Sequence, residues 1–269
     1  MTETNTSRVA ARFSMAGRRA LVTGGSLSIG RAIVLAFADA GADVAVQYAA
    51  SADTSLENVD AADTLAAAFR ERGTRHAFIE SDFMQPGSGT RTVQAAEHAL
   101  GGVDVLVVCA SVQKREAFTE ISDYELERQR RINFDASVEL LKAGVTGMRS
   151  RGWGRILTIG SINQTNPDPD LAIYAALKSA QHNLCINLAR QLAPHGVTVN
   201  NLSPGLIATA RNAWRRVDAD QWAAIQAEAS PMGRAGTPDE IANAALLLCS
   251  EAGSFITGAD LQATGGAHL

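Results

Sequence analysis

Short apolar or β-branched runs alternate with longer amphipathic segments along this chain. The runs predict seven strands, at residues 19–23, 43–48, 75–80, 103–108, 154–160, 197–202 and 259–263. The segments between them predict helices, at residues 29–40, 56–72, 89–100, 123–150, 171–193 and 239–250. Such alternation is typical of βαβ units. It predicts an α/β fold of the Rossmann type, doubly wound, in which a mainly parallel seven-stranded sheet has helices on both faces.

Two parts of the chain stand outside this alternation. Residues 1–14 are polar and precede the first predicted strand, so we interpret them as an N-terminal tail. Residues 206–230 follow a Pro-Gly pair after the sixth predicted strand and have no partner in the alternation. We therefore predict a single domain over residues 15–269, in which residues 206–230 form a lid over the substrate.

The composition excludes several classes of protein. Of 269 residues, 46% are hydrophobic and 19% are charged, which is typical of a compact globular chain. The 24 Lys and Arg residues against 28 Asp and Glu residues give a net charge of −4, which argues against nucleic acid or an anionic membrane as a partner. The N-terminus lacks the apolar core of a signal peptide, and no apolar run reaches ~18 residues. We therefore expect no membrane contact and a cytoplasmic location.

The cysteines support the same compartment. Cys109, Cys185 and Cys249 are odd in number, scattered, and set in apolar surroundings. They form neither a disulfide framework nor a metal-ligand spacing. We predict buried, reduced thiols and no metal site.

A glycine-rich turn joins the first predicted strand to the first predicted helix. It has the sequence TGGSLSIG over residues 23–30. Glycines in such a turn let the backbone approach a pyrophosphate, and free N–H groups at the start of the helix bind its charge. On its own, the turn indicates either a dinucleotide site or an ordinary tight connection.

Ser161, Tyr174 and Lys178 form the strongest candidate constellation. Ser161 follows the fifth predicted strand, at the carboxyl edge where open α/β sheets bind ligands. Tyr174 and Lys178 are four residues apart in a predicted helix, so they share one face. A phenol has a pKa near ~10, and a nearby ammonium group lowers it, so Tyr174 can move a proton while Ser161 holds the substrate oxygen. In isolation, a Tyr and a Lys at this spacing would more often be a solvated pair on a surface helix.

Taken together, these residues resemble the short-chain dehydrogenase/reductase family, in its single-domain branch with a Ser-Tyr-Lys-Asn active site. The resemblance covers roughly residues 15–267. The glycine turn is similar to the family's TGxxxGxG motif, and Ser161, Tyr174 and Lys178 match its catalytic trio. Further matches are Asp82 in ESDF, Asn133 in RRINFD, Asn200 and Pro204-Gly205 in VNNLSPGLIAT, Thr209, and the closing segments PMGRAGTPDEIANAALLLCS and FITGADLQATGG.

The resemblance implies an NAD(P)-dependent dehydrogenase/reductase that acts on CH–OH groups, with Ser161, Tyr174, Lys178 and Asn133 as its catalytic residues. Lys178 would lower the pKa of Tyr174 and bind the nicotinamide ribose, and Asn133 would hold a water that links Lys178 to solvent. For Asn133 the alternative is an asparagine satisfied by a backbone carbonyl, and for Asp82 it is a turn-capping carboxylate. The coenzyme-binding residues implied in the same way are Gly24, Ser26, Ser28, Ile29, Gly30, Tyr48, Ser51, Asp82, Phe83, Ala110, Ser111, Tyr174, Lys178, Pro204, Gly205, Ile207 and Thr209.

The chain departs from the family pattern at three places. Ser28 replaces the second glycine of the turn, which narrows the backbone freedom there. Val108-Cys109-Ala110-Ser111 stands where the family has Asn-Asn-Ala-Gly, so an asparagine that braces the sheet is absent. Thr264 replaces the aspartate before the last Gly-Gly pair. These departures bear on coenzyme affinity and local rigidity, because none of them touches the catalytic trio.

The end of the second predicted strand bears on the choice of coenzyme. NAD-selective dinucleotide folds place Asp or Glu there to hold the ribose 2′-hydroxyl. Here the strand ends Gln47-Tyr48-Ala49-Ala50-Ser51 without an acid, and the Ser51 hydroxyl can donate to a 2′-phosphate. An Arg or Lys is also missing there and at Leu27. We expect NADP(H) to be favoured over NAD(H).

The loops expected at the mouth of the site are polar. Polar groups that are desolvated favour a substrate that hydrogen-bonds with them, and arginine suits an acid, although exposed loops are often polar for no such reason. We predict a small sugar-, polyol- or hydroxy-acid-like substrate contacted by Ser161, Gln113, Asn163 and Arg211. The other polar residues of these loops are Lys114, Arg115, Gln164, Asn212, Arg215 and Arg216.

Other functions stay open at this point. Arg128, Arg130 and Arg131 fall on one predicted helix and could dock an acidic carrier, as in a 3-oxoacyl-carrier-protein reductase, although such a run is usually a solvated face. A dinucleotide sensor without chemistry, or a dehydratase or isomerase, would use the same fold. The last helix and strand carry apolar surface, and the family forms tetramers through these elements, so we expect a homotetramer.

Overall fold

The computed structural model describes residues 5–269, with their side chains from residue 8 onward. Its strands form one sheet in which every neighbouring pair is parallel, with the order β3-β2-β1-β4-β5-β6-β7. This arrangement confirms the predicted doubly wound fold. The strands are β1 Arg19–Thr23, β2 Asp43–Tyr48, β3 His76–Glu80, β4 Val105–Val108, β5 Gly154–Ile159, β6 Val197–Pro204 and β7 Asp260–Ala263.

Helices connect the strands and cover both faces of the sheet. The α-helices are α1 Asn5–Phe13, α2 Ser28–Asp39, α3 Ala50–Ser55, α4 Ala61–Arg72, α5 Ser88–Leu100, α6 Asp123–Arg130, α7 Ala136–Arg151, α8 Ala172–Leu192, α9 Ala219–Ala229 and α10 Pro238–Cys249. Short 3-10 turns include Ile162–Gln164, Pro169–Leu171 and Ala210–Arg216.

Three segments differ from the sequence prediction. The predicted helix over residues 123–150 is two helices, α6 and α7, joined by a π-helical turn at Arg131–Asp135. The short helix α3 lies ahead of α4, in a region for which only one helix was predicted. Part of the polar N-terminal tail is the helix α1.

The sheet separates two hydrophobic cores. Ala20 and Val22 of β1 belong to the core under α2 and α10, whereas Leu21 belongs to the core under α5, α7 and α8. Successive side chains of a strand point to opposite faces, and a parallel sheet is covered on both. The apolar runs of the sequence are therefore continuous rather than alternating.

This topology determines where the functional residues meet. The order of strands reverses between β1 and β4, and the loops at the carboxyl ends of these strands open a crevice, which is where such sheets bind ligands. Residues 206–230 lie beyond the carboxyl end of β6 and contain the 3-10 turn Ala210–Arg216 and the helix α9. Within residues 5–269, no helix has the length and apolar character needed to cross a membrane.

Candidate active site

The glycine turn between β1 and α2 is packed too closely for side chains at two positions. Gly24 has a left-handed backbone (φ 62°), and a Cβ there would lie 2.9 Å from the Cα of Ala110. A Cβ at Gly30 would overlap the carbonyl oxygen of Gly24. The turn is therefore a cradle lined by backbone, and its residues fit the pyrophosphate of a dinucleotide. Ile29 and Gly30 continue it into the first turn of α2.

Ser28 adopts the left-handed conformation that its family counterpart, a glycine, adopts freely. Its φ is 51°, and its Oγ accepts a hydrogen bond from the backbone N–H of Ala210 at 3.4 Å. For residues other than glycine, this conformation costs roughly 1–2 kcal/mol. The departure at Ser28 therefore stores backbone strain at the cradle and joins the cradle to the segment 206–230.

An acidic residue that the sequence pattern does not reveal lies beside the cradle. The buried carboxylate of Asp53, on α3, accepts a hydrogen bond from the Ser26 hydroxyl at 2.9 Å. Burial raises the pKa of Asp53, and the bond from Ser26 opposes that rise. Asp53 lies five residues beyond β2, so inspection of the end of that strand did not find it. Ser51, by contrast, is exposed on the same short helix.

Two further coenzyme candidates lie near the ends of β2 and β3. Burial raises the pKa of Tyr48, and the charges of Glu80 and Asp53 add to the effect. Asp82 is exposed, and its Oδ1 accepts the backbone N–H of Met84 at 2.9 Å. The side chain of Asp82 therefore caps its own turn, as the alternative interpretation of this residue expected. Phe83 is buried next to it.

Thr23 stabilises the turn after β4, where the family asparagine is absent. Its Oγ1 accepts the backbone N–H groups of Cys109 at 2.9 Å and Ala110 at 3.1 Å. Burial raises the pKa of the Cys109 thiol to about 11, so this cysteine is a neutral packing group. The side chain of Thr23, at the end of β1, thus stabilises the turn that carries Ala110 and Ser111, a role that the sequence did not predict.

The hydroxyl oxygen of Ser161 accepts two hydrogen bonds from Asn163. It lies just beyond the end of β5, and its Oγ accepts both the backbone N–H and the side-chain Nδ2–H of Asn163, each at 3.2 Å. Asn163 is fixed in turn because its Oδ1 accepts the backbone N–H of Asp168 at 2.8 Å. Since both lone pairs of the Ser161 oxygen are used, its own hydrogen is free to be donated into the site.

Tyr174 and Lys178 are buried on α8, as the spacing predicts. Tyr174 is 6% exposed, and the Lys178 ammonium lies 5.8 Å from the centre of its ring. Burial raises the pKa of Tyr174, whereas the Arg211 guanidinium and hydrogen bonding from Ser161 and Ser111 lower it. The structure therefore brings the predicted trio together with two further residues, Ser111 after β4 and Arg211 after β6.

Lys178 is held by acceptors rather than by a carboxylate. Its Nζ donates to the carbonyl of Ile159 at 2.6 Å and to Oε1 of Gln181 at 3.2 Å. Burial lowers the pKa of Lys178 to about 8. Both acceptors stabilise the charged form, which leaves the third hydrogen of the ammonium for the site.

A chain of side chains connects Lys178 to the backbone of Asn133. Gln181 Nε2 donates to Ser137 Oγ at 2.9 Å, and Ser137 donates to the carbonyl of Asn133 at 2.9 Å. The family resemblance implies a water, held by Asn133, that links Lys178 to solvent, and the side chains of Gln181 and Ser137 form a separate connection between Lys178 and the Asn133 carbonyl. An amide passes no proton along such a chain, so the chain orients Lys178 without serving as a relay.

The segment after β6 contributes the remaining implied coenzyme residues. Gly205 donates its N–H to the carbonyl of Ala263 at 3.1 Å, and a Cβ on it would lie 2.9 Å from the Cα of Thr264. Pro204 ends β6, Ile207 is buried, and Thr209 caps the 3-10 turn Ala210–Arg216.

The residues predicted to touch substrate divide into two kinds. Arg211 Nη2 donates to the carbonyl oxygen of Ser111 at 2.7 Å and approaches Ser111 Oγ at 3.3 Å. Asn163 holds Ser161, which makes it a positioning residue. Gln113 is half-buried in the loop after β4. Within the side chains described from residue 8 onward, no group of three or more His, Cys, Asp or Glu residues is placed to hold a metal ion.

The arginines considered for carrier docking are neutralised by carboxylates. Arg128 pairs with Glu125 at 2.9 Å. Arg130 pairs with Glu127 and Asp135, each at 2.6 Å. Arg131 pairs with the same Asp135 at 3.1 Å. These three side chains do not form the uncompensated basic surface that an acidic carrier requires.

Comparison with known proteins identifies the class. The profile of a family described as enoyl-(acyl carrier protein) reductase matches residues 24–268. The chain belongs to the short-chain dehydrogenase/reductase family and is an NAD(P)-dependent oxidoreductase. The predicted family, fold and reaction class are thereby confirmed.

Individual relatives have differing activities. The chain is 30% identical over 254 residues to gluconate 5-dehydrogenase of Gluconobacter oxydans, covering 94% of this chain and 96% of that one. It is 33% identical over 257 residues to 3-oxoacyl-[acyl-carrier-protein] reductase of Salmonella typhimurium, covering 96% and 100%. The structure of a 3-oxoacyl (acyl-carrier-protein) reductase from Agrobacterium tumefaciens with NADP bound is similar, with a TM-score of 0.91, 36% identity, and coverage of 98% of this chain and 100% of that one.

Proposed function

We propose that this protein interconverts a secondary alcohol and a ketone on a small polar substrate that resembles a sugar, a polyol or a hydroxy acid. The observation that carries this proposal is the pair of hydrogen bonds that Ser161 Oγ accepts from Asn163. Because Asn163 occupies both of its lone pairs at 3.2 Å, the Ser161 hydroxyl is a fixed donor beside the buried Tyr174. Two hydroxyl groups that converge in this way bind one oxygen atom of a substrate and move one proton.

The division of roles follows from these contacts. The nicotinamide coenzyme, when bound, supplies or accepts the hydride. Ser161 donates a hydrogen bond to the substrate oxygen, and Tyr174 gives that oxygen a proton during reduction or takes it during oxidation. Lys178, held by Ile159 and Gln181, provides a positive charge behind Tyr174 and the hydrogen that remains for the coenzyme ribose. Asn133 is a positioning residue on this proposal.

We further propose NADP(H) as the favoured coenzyme, bound by the cradle of β1 and α2 and by the turns after β4 and β6. The NADP in the Agrobacterium reductase supports this choice, as does the lack of an acid at the end of β2. Asp53 acts against it, because it places a carboxylate against Ser26 of the cradle, and a nearby negative charge disfavours a 2′-phosphate. Binding constants for NADPH and NADH, measured by fluorescence, decide the preference.

The substrate class is tested by a screen followed at the nicotinamide absorbance. Sugars, polyols, hydroxy acids and a 3-oxoacyl thioester are each supplied with both coenzymes. Turnover of the polar compounds supports the proposal, and turnover of the thioester alone identifies the protein instead with the second candidate, a 3-oxoacyl-carrier-protein reductase, which the Salmonella relative favours. Tight coenzyme binding without turnover of any compound would indicate a sensor.

The assembly and location are proposals of the same kind. We propose a homotetramer, for which the exposed side chains of Phe255 and Leu261 near the last strand provide apolar surface. A sedimentation mass of one chain at micromolar concentration would contradict it.

We also propose a cytoplasmic location, which the three free cysteines support because thiols stay reduced there.

A further inference from the structure

We propose that Arg211 binds a carboxylate of the substrate, so that the physiological substrate is a hydroxy acid or oxo acid whose acid group lies close to the reacting carbon. This inference rests on the proposed function and narrows its substrate class. It assigns the anion to one residue on the segment 206–230, and it excludes neutral sugars and thioesters as the preferred substrates.

The guanidinium group of Arg211 contacts the loop that carries Ser111. Arg211 is exposed on the 3-10 turn Ala210–Arg216, and its Nη2 contacts Ser111 across the mouth, at 2.7 Å to the carbonyl oxygen and 3.3 Å to Oγ. The positive charge of Arg211 also lowers the pKa of Tyr174, so the guanidinium acts electrostatically on the group that moves the proton.

Two other basic side chains of the predicted substrate loops are paired with carboxylates. Lys114 pairs with Glu116 at 2.6 Å, and Arg115 pairs with Asp168 at 2.7 Å. Among the ion pairs of residues 8–269, none includes Arg211. Arg211 thus has no carboxylate partner among the described side chains, and an anionic substrate would supply one.

The contact with Ser111 uses only part of the hydrogen-bonding capacity of Arg211. A guanidinium carries five N–H donors in a planar fork that matches a carboxylate bidentately, and Arg211 directs only Nη2 to Ser111. On this proposal, the reacting oxygen binds to Ser161 and Tyr174, and a carboxylate close to the reacting carbon binds to the remaining donors of Arg211. A single positive charge also matches the single charge of a carboxylate.

The variants are Arg211→Met, which removes the charge at similar length, and Arg211→Lys, which keeps the charge without the fork. The matched control is Arg216→Met on the same short turn, whose guanidinium donates to the backbone carbonyl of Thr209 at 3.0 Å. Each hydroxy acid that the wild type oxidises is compared with its primary amide, which has nearly the same size and no charge. Because Arg211 is exposed, its substitution leaves the core intact, and circular dichroism verifies the fold.

We expect the wild type to favour each acid over its amide. Arg211→Met should lower kcat/KM for the acid by about 10- to 100-fold relative to the amide, the usual range for a hydrogen bond to a charged group, while both compounds share any loss that follows from the changed pKa of Tyr174. Arg211→Lys should keep part of the preference, and Arg216→Met all of it. Equal loss on acid and amide, or an unchanged preference in Arg211→Met, would overturn the inference while the proposed reaction stands.

A binding measurement tests the same point without turnover. Malonate is titrated into the protein–NADPH complex and followed by NADPH fluorescence. Binding that Arg211→Met abolishes and Arg216→Met preserves supports the inference even if the substrate screen fails and the proposed function with it. Malonate binding that survives Arg211→Met, or a loss of NADPH affinity in that variant in place of malonate affinity, contradicts it, since Arg211 would then be a coenzyme residue.

Discussion

The side-chain amide of Asn133 and the peptide groups of Val112 exchange two hydrogen bonds. Asn133 Oδ1 accepts the N–H of Val112 at 2.9 Å, and Asn133 Nδ2 donates to its carbonyl at 2.8 Å. Asn133 belongs to the π-helical turn between α6 and α7 and is fully buried. π-Helical turns inside helices are frequent at functional sites. Here the turn aims an amide at the loop that carries Ser111.

Replacement of Asn133 by alanine should therefore loosen this loop and destabilise the fold. It leaves two partly buried backbone groups of Val112 without these partners, which costs up to about 1–3 kcal/mol for each group. Urea unfolding measures the loss, and a shift of Ser111 should lower kcat as well. Asn187→Ala is the control, because Asn187 is exposed on α8 and bonds only to Asn183. Equal stabilities for the two variants would contradict the role of Asn133.

Tyr174→Phe removes the hydroxyl and keeps the ring. Turnover should fall by at least ~10²-fold, the scale of general acid–base catalysis, while coenzyme affinity is retained. Lys178→Ala should lower both, because the ammonium is also proposed to bind the coenzyme ribose. Steady-state rates and fluorescence titrations with NADPH separate the two effects. Near-normal turnover in Tyr174→Phe would refute the assignment.

Asn163→Ala tests whether the two bonds to Ser161 orient its hydroxyl. The variant keeps the backbone bond to Ser161 and loses the Nδ2 bond, together with the Oδ1 bond to the N–H of Asp168, so the Ser161 hydrogen gains a second orientation. We expect kcat to fall by about tenfold, with KM nearly unchanged, since a misdirected hydrogen weakens mainly the transition state. Thr165→Ala is the control, because Thr165 bonds only to the nearby carbonyl of Ile162 through its side chain. A change in KM alone would show that Asn163 binds substrate directly.

Asp53→Asn should favour NADP(H) and stabilise the protein at neutral pH. Removal of one like charge should tighten NADPH by about fivefold, with little effect on NADH. Burial raises the pKa of Asp53, so the folded state favours the protonated carboxyl, and stability falls as pH rises from the unfolded pKa through the raised folded one. The variant should lose this slope, which urea titrations detect from the ordinary aspartate pKa of about 3.9 upward. Asp63→Asn, which changes an exposed carboxylate on α4, should leave the slope in place.

Ser28→Gly should relieve the strain in the coenzyme cradle. Glycine adopts a φ of 51° freely, but it also loosens the unfolded chain, so the net gain in stability should stay below about 1 kcal/mol. Glu57→Gly is the matched control. Among the described residues, Ser28 and Glu57 are the two non-glycine residues with a positive φ, and that of Glu57 is 59°. Both variants should melt at a higher temperature, but only Ser28→Gly should tighten NADPH. Unchanged NADPH affinity would show that the serine does not hinder the cradle.

The sequence predicts well what depends on short stretches of chain. Each strand is a local apolar run, and Tyr174 and Lys178 share a helix face by spacing alone, so fold and trio were accessible. Asp53 was missed because only the packing of α3 against the cradle brings it to Ser26. Gln181 and Ser137 were missed for the same reason, since they lie on different helices and meet only when α7 and α8 pack. The π-helical turn was missed because α6 and α7 together have the pattern of one continuous helix.

The way in which Ser161 is bonded also limits which functional groups can react. With both lone pairs held by Asn163, this serine can only give a hydrogen bond, so the reacting atom must have a lone pair to accept it. An alcohol meets this requirement and releases its own hydrogen towards Tyr174. An alkylammonium ion has no lone pair, and amines are in that form at neutral pH. On the proposed mechanism, the orientation of a single hydrogen atom therefore favours an alcohol or a ketone over an alkylammonium ion as the reacting group.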